Sequence, residues 1–572
     1  MITKVELTNF KRFTSREFDL RGNIILAGPN NSGKSSLIQA IAVWNLALQE
    51  WLQERNHSKA KIRTGVQLSR NKFTAIPLRE MKLLWNETAT GKRKNELDKG
   101  EKLGTPRALE IRLSGETEGK PWKIGMSFQY RFPDLVLIKP TEDTDYEVIP
   151  WVAERFNLLF VPSFSGIGIN ETRYDKPYQE MLLGQGKPGD IIRNRMLEVW
   201  EKRRENWYRL VEDIQHIFGY TLLPPQYDGQ PYIICDYVNE LVADKPKTYQ
   251  TVLDIASAGS GFLQVVLLLS FFYSQDSSIV LFDEPDAHLH IVLQRQVYDK
   301  IRSVANQTGS QLLIATHSEV VIDNTSPENI ISFYREPHRL TAGFEAEQVR
   351  MALKNLTNMD LLEADRWPYL LYLEGKSDFN LLREWAIVLK HPLSIYFTDQ
   401  EHNLFWHNNI GRNPKNAKEH LFALRAVKPE IKGILLLDGD DRKLPDHEIR
   451  VDGLEIIRWT RYEAENHLLV PDALIRYVTG GKSDLFSGDK TKDILDHIRS
   501  TPFLNIIKDP FENDEVQTSI GASKKFLPGL FEKLDIPLSK SEYYSIAQIM
   551  APQEIHPEIV EKLNFIHERM RK

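Results

Sequence analysis

Gly28-Pro-Asn-Asn-Ser-Gly33-Lys34-Ser35 matches G-x-x-x-x-G-K-[ST], the spacing of a phosphate-binding loop. The backbone N–H groups of such a loop ring phosphates, helped by the positive end of the helix that follows. Gly28, Asn30, Asn31, Ser32, Gly33, Lys34, Ser35 and Ser36 are the candidate nucleotide contacts. Lys34 would reach the β/γ-phosphates and Ser35 would ligate Mg²⁺. Far downstream, Ile279-Val-Leu-Phe-Asp283-Glu284-Pro285 ends an apolar run in two carboxylates. Asp283 is the candidate to hold Mg²⁺ through water, and Glu284 to orient or deprotonate an attacking water. Ser257 and Gly259 lie in a small-residue turn whose N–H groups could grip a γ-phosphate offered by a second subunit. His317 stands at a strand's carboxyl end, where it can sense that phosphate.

A second acidic constellation follows. Glu374-Gly375-Lys376-Ser377-Asp378 spaces two carboxylates four apart, so a helical start brings both to one side. Asp438 and Asp440 alternate on an extended chain and face the same way. Glu463 and Glu465 form a third acidic element. Carboxylates packed together repel unless a hard divalent cation neutralises them, and oxygen ligands suit Mg²⁺ or Mn²⁺.

Such residues need strand ends and helix starts to hold them. Ile24–Ala27, Leu109–Leu113, Leu158–Val161, Ile279–Phe282 and Gln311–Ala315 read as strands, with helices expected over 37–46 and near 290–304. Two near-continuous apolar strands joined through a helix predict a parallel α/β sheet. After Trp367-Pro368 the pattern restarts with Tyr369–Leu373 and Ile434–Leu437, a second α/β domain. Between lies a long amphipathic stretch from about 190 to 218. Its apolar residues, Trp200 and Trp207 among them, either supply a dimer contact or pack on their own domain.

A length of 572 residues allows two to four domains, and 41% apolar with 27% charged residues excludes collagenous, mucin-like and wholly disordered chains. With 73 basic and 79 acidic side chains the net charge is −6, so any nucleic-acid binding must use local patches. Residues 51–102, with 13 Lys/Arg against 6 Asp/Glu, are one such patch, and Thr90-Gly91-Lys92-Arg93-Lys94 is read as a mobile loop. A solvated surface is the other reading of that charge. The single cysteine, Cys235, excludes an internal disulfide and a multi-cysteine zinc site and predicts a reducing compartment. The N-terminus lacks a signal peptide's apolar block, and Phe262–Phe272 is too short to span a bilayer, so a cytoplasmic protein is expected.

The first set of motifs resembles the ATP-binding-cassette ATPases of the SMC/RecF type. Asn9-Phe10-Lys11-Arg12-Phe13 is similar to that family's N-F-R-x-F, Ser257-x-Gly259 to its signature turn, Asp283-Glu284-Pro285 to its Walker B, and His317 to its switch histidine. Asn31 stands where glycine is usual, and Lys11 where arginine is. The resemblance implies ATP sites shared between two heads, hence a homodimer or higher homo-oligomer. The second set resembles the Toprim fold. An SMC-like ATPase followed by Toprim is the arrangement of the OLD (overcoming lysogenisation defect) nucleases. It implies an ATPase domain over 1–365, with a helical dimerisation insertion at about 185–245, and a Toprim nuclease domain over 366–572. By that resemblance Glu374 and Asp378 help hold one metal and Asp438 and Asp440 the other. Glu465, with Glu463 close behind, is the later ligand, and Lys524, Lys525 or Lys540 assists at the scissile phosphate. The implied protein is an ATP-regulated endonuclease of anti-phage defence, cutting DNA or transfer RNA and working with a defence-system partner. The alternatives are an ATPase sensor whose Toprim domain only contacts a partner, and a RecF-like repair ATPase.

Overall fold

In the computed structural model, residues 1–28, 30–56, 65–92, 102, 105–164, 166–239, 251–333, 336–340, 356–398, 406–408, 414–439, 453–480, 488, 491–494, 496 and 521–571 are described. The chain divides into two units, 1–342 and 343–572.

The first unit contains two six-stranded sheets and one of three strands. Its strands are β1 (Ile2–Phe10), β2 (Phe13–Asp19), β3 (Ile24–Ala27), β4 (Val66–Ser69), β5 (Leu109–Thr117), β6 (Lys120–Phe132), β7 (Leu135–Pro140), β8 (Leu158–Val161), β9 (Tyr220–Leu222), β10 (Asp236–Asn239), β11 (Val252–Asp254), β12 (Ile279–Asp283), β13 (Gln311–Thr316), β14 (Ile330–Ser332) and β15 (His338–Arg339). An antiparallel sheet runs β2-β1-β5-β6-β7-β4. A second runs β15-β14-β3-β13-β12-β8, parallel except at β15. Helix Lys34–Asn56 packs against strands of both, which is why Leu37, Ile41, Trp44 and Leu48 are all fully buried. Trp44 also donates its indole N–H to the Ile124 carbonyl at 3.0 Å.

Much of the basic 51–102 segment is structural. β4 edges the antiparallel sheet, and Met81, Leu84 and Trp85 join the core. Arg93 and Lys94 lie outside the described residues.

The amphipathic stretch forms two helices, Ile192–Lys202 and Arg204–Phe218, broken at Arg203 (φ −138°, ψ 60°). Both pack on helix Ser260–Ser274, which is apolar on every side and must be covered all round. Met196, Val199, Trp207, Leu210 and Ile214 are consequently buried within their own unit. Of the two roles open to these residues, the inward one is observed for most, while Trp200 and Val211 stay half-exposed. Among the described residues no helix is long and apolar enough to cross a membrane.

The second unit carries a four-stranded parallel sheet of β16 (Tyr369–Leu373), β17 (Trp406–Asn408), β18 (Lys432–Leu437) and β19 (Leu454–Arg458), in the order β17-β16-β18-β19. The unit begins before helix Asn358–Arg366, which the boundary at 365 would assign to the first domain. That helix is tied to its own unit, with Asp365 paired to Lys428 and Asp360 facing His420 at 3.6 Å.

Candidate functional site

Parallel register brings the carboxyl ends of β3, β13 and β12 to one edge. Ala27 pairs with Thr316, and Ala315 with Asp283. Open α/β sheets bind ligands at such ends. The phosphate loop leaves β3 here and opens helix Lys34–Asn56. Gly33 has φ 110°, a conformation that requires glycine, and a Cβ there would lie 2.6 Å from Arg12 Cδ. Asn31 has φ 59°, which asparagine tolerates, so this loop keeps its turn without glycine at that position.

Lys34 is buried, and its ammonium donates to the Gly28 carbonyl at 2.6 Å. Burial lowers its pKa, opposed by Glu284, Asp283 and Asp286. Ser35 Oγ donates to Asp283 Oδ1 at 2.8 Å. Burial raises the Asp283 pKa while that bond lowers it. Glu284 has φ 53°, a strained backbone for a glutamate, costing roughly 1–3 kcal/mol where it occurs at a functional site. Its carboxylate lies 3.6 Å from His317 Nδ1. Their interaction lowers the glutamate pKa and raises that of the histidine. The loop, Ser35, Asp283, Glu284 and His317 thus form one site. Asp283 and Ser35 offer the hard oxygen ligands that a nucleotide's Mg²⁺ takes.

Ser257 and Gly259 occupy an exposed turn at the start of helix Ser260–Ser274. Asp254 shapes that turn by accepting from Ala256 N at 2.7 Å. Buried Arg193 in turn grips Asp254 with both guanidinium nitrogens, at 2.8 and 2.9 Å. Sequence reasoning missed this arginine, and it named Arg12, whose guanidinium donates to the Asn31 carbonyl, only within Asn9-Phe10-Lys11-Arg12-Phe13. It named Lys11 only within N-F-K-R-F. Burial lowers the Lys11 ammonium pKa to about 8, against the pull of Asp283. The signals for the last two were that motif and their pairing as basic residues in the β1–β2 hairpin.

A second carboxylate cluster is built at the carboxyl ends of β16, β18 and β19. Glu374 follows β16 directly, and its Oε1 accepts from Asp438 N at 3.0 Å. Asp378 sits in the first turn of helix Lys376–Val388 and accepts from Gly375 N at 3.0 Å. Asp438 follows β18 and accepts from Ala464 N at 3.1 Å, so the Glu463–Glu465 segment closes over it. Gly439 is required beside it, since a Cβ would lie 2.1 Å from the Arg461 carbonyl oxygen. Glu463, Glu465 and Asp378 are buried, and Asp440 lies outside the described residues.

Burial, then repulsion from the other carboxylates, pushes Asp378 up to about 8 and Asp438 up to about 9. Glu465 is raised too, by burial, while Lys540 opposes the rise. Of the three candidate lysines, Lys540 is the one in contact, its ammonium 3.0 Å from Glu465 Oε1. Nothing brings Lys524 to the cluster among the described contacts, and the Lys525 side chain is outside them. Glu465 is 1% exposed, and its Oε2 has no hydrogen-bond partner among the described residues. An all-oxygen donor set with an orphaned carboxylate oxygen fits a hard divalent ion.

Residues 238–323, which hold the signature turn, Asp283, Glu284 and His317, match the family described as "AAA domain, putative AbiEii toxin, Type IV TA system". No curated protein matches the sequence. Among solved structures, the SMC head domain from Thermotoga maritima is 15% identical, covering 58% of this chain and 93% of that one, with a TM-score of 0.31. An SMC head bound to the C-winged helix domain of ScpA is 16% identical over 58% and 93%, with a TM-score of 0.33. An SMC head with an extended coiled coil, bound to the C-terminal domain of ScpA derived from Pyrococcus furiosus, gives 15%, 58%, 92% and 0.32. The phosphate loop, its Ser35–Asp283 bond and the AAA-family match over the second half of the site give the first unit the parts of an ATPase site.

Proposed function

We propose that the chain is an ATP-hydrolysing, divalent-metal-dependent nucleic-acid endonuclease of OLD type, acting through a Toprim-like centre in its second unit. The observation that carries this reading is the gathering of Glu374, Asp378, Asp438, Glu463 and Glu465 beside Lys540 at parallel strand ends. A structural role does not explain it, because these acids repel one another and two hold protons against their ordinary tendency.

In the ATPase half, Lys34 meets the β/γ-phosphates, Ser35 and Asp283 share Mg²⁺, and Glu284 takes the proton of the attacking water. His317 steers Glu284 and senses the γ-phosphate. The exposed signature turn at Ser257 and Gly259 suits the γ-phosphate of a second copy, so the working form is a homodimer or higher homo-oligomer. In the second half, Glu374, Asp378, Asp438, Asp440 and Glu465 hold Mg²⁺ or Mn²⁺. Bound there, two ions supply water activation and stabilisation of the leaving oxygen in phosphodiester cleavage. Lys540 opposes the burial-driven rise in the Glu465 pKa and presents a positive charge to the scissile phosphate. The ATP state governs cleavage, and DNA is the first substrate to test, with transfer RNA second. A role in anti-phage defence is what the resemblance to the OLD nucleases implies.

Purified protein incubated with supercoiled plasmid and with transfer RNA, with Mg²⁺ or Mn²⁺ and with or without ATP, tests the reading. Metal-dependent cleavage of either substrate supports it. ATP hydrolysis with no cleavage in any metal would move the function to an ATPase sensor.

A further inference from the structure

We propose that Asp360, His407 and His420 form a transition-metal site, best suited to Zn²⁺, separate from the carboxylate centre. Asp360 lies in helix Asn358–Arg366, His407 on edge strand β17 and His420 in helix Lys415–Val427. One ligand atom from each lies within 4.8 Å of the others, and the two imidazole rings stack with their centroids 4.0 Å apart. His420 Nε2 is 3.6 Å from Asp360 Oδ2. Two ligands on a tetrahedral ion with bonds of ~2.1 Å sit about 3.4 Å apart. A hydrogen bond would bring the same atoms to roughly 2.9 Å. The observed spacing is longer than a hydrogen bond and close to that of two ligands of one ion.

His420 is 6% exposed, and its Nε2 makes no hydrogen bond among the described residues. Its Nδ1 lies 3.0 Å from the Tyr372 hydroxyl, which fixes the ring. When Nδ1 carries the proton, the Nε2 lone pair faces a carboxylate, an arrangement that a cation between them stabilises. Asp360 Oδ2 is held by Thr357 N at 2.8 Å and Thr357 Oγ1 at 2.9 Å, the outer bonds that ligating groups keep. Two imidazoles and a carboxylate suit Zn²⁺ and leave a fourth position open. The neighbouring group of His467, His556 and Glu558 differs. There His467 already bonds Ala464 O and Glu558, and Glu558 accepts from Thr460. Tyr372 stands on β16 two residues before Glu374, so the ion would brace the strand that presents the first carboxylate.

The test uses the full chain stripped with chelator and held in excess Mg²⁺, which saturates the carboxylate centre. Co²⁺ is titrated by visible absorption and then displaced with Zn²⁺. Wild type should bind one equivalent of Co²⁺ with the intense band of tetrahedral coordination, and Zn²⁺ should abolish it. His420→Gln and His407→Gln should each weaken binding more than tenfold and lose the band, while Asp438→Ala keeps it. His407 is on an edge strand, so His407→Gln guards against misfolding, checked by its melting curve and retained ATP turnover. No uptake by wild type, an unchanged band in both histidine variants, or its loss in Asp438→Ala would each overturn the assignment.

Discussion

Ser35 Oγ donates to Asp283 Oδ1 across 2.8 Å, joining side chains 248 residues apart. The bond closes the ATP site, because the phosphate loop and the acidic strand end come from opposite ends of the first unit. Lys34→Ala should weaken ATP binding ~10- to 100-fold, since hydrogen bonds to charged groups contribute roughly 1.5–3 kcal/mol. Glu284→Gln should keep binding and slow turnover by about 10²–10⁴-fold, because an amide cannot take the proton. Equilibrium binding and steady-state hydrolysis measure both. Unchanged turnover in the two variants would remove the assignment.

Arg193 reaches the signature turn only through Asp254. Arg193→Lys keeps the charge but loses the two-pronged grip. ATP affinity should stay near wild type while kcat falls, by as much as ~10²-fold if the turn shifts by an ångström. A lowered melting temperature with unchanged kcat would show that the bridge only braces the fold.

The metal-free second unit should lose stability as pH rises. Asp438 titrates near 9 when folded, against an ordinary 3.8, so the folded state binds more protons than the unfolded one between those values. Stability contributed by the protonated acid is therefore full at low pH and lost on approach to about 9. Mg²⁺ or Mn²⁺ should displace these protons, tighten with rising pH and reverse the loss. Calorimetry in buffers of different ionisation enthalpy counts the protons released, and Asp438→Asn should release fewer. Equal release from both proteins would contradict the shift.

Lys540 is the counter-charge of buried Glu465. Lys540→Met should lower the metal-free melting temperature, because buried Glu465 loses its counter-charge. The loss is smaller than a fully buried pair would give, since the ammonium is half-exposed. Divalent ion should restore most of that stability but little cleavage. Full cleavage in the variant would place the catalytic lysine elsewhere.

Much of this was legible in residue order. Ile24–Ala27, Ile279–Asp283 and Tyr369–Leu373 are short apolar runs bounded by turn residues, and each is a strand. The strand order was not legible. β13 lies between β3 and β12, and only that pairing brings His317 to Glu284. Trp207 was ambiguous because an amphipathic helix shows the same stripe whether a partner or its own domain covers it. Helix Ser260–Ser274, apolar all round, decides for its own domain. Lys540 could not be told from Lys524 by type or spacing, since the choice is made by contact with Glu465.

The central claim is that the second unit's carboxylates, rather than the ATP site, carry a nuclease centre. Nicking of supercoiled plasmid, and cleavage of transfer RNA, by wild type and by Asp438→Ala in Mn²⁺ with ATP turnover monitored in the same samples, tests it most directly. The account predicts that wild type cuts one of them and that Asp438→Ala hydrolyses ATP at the wild-type rate while cutting at least ~100-fold more slowly. Equal cutting by both proteins, or none by wild type in any divalent ion, would contradict it.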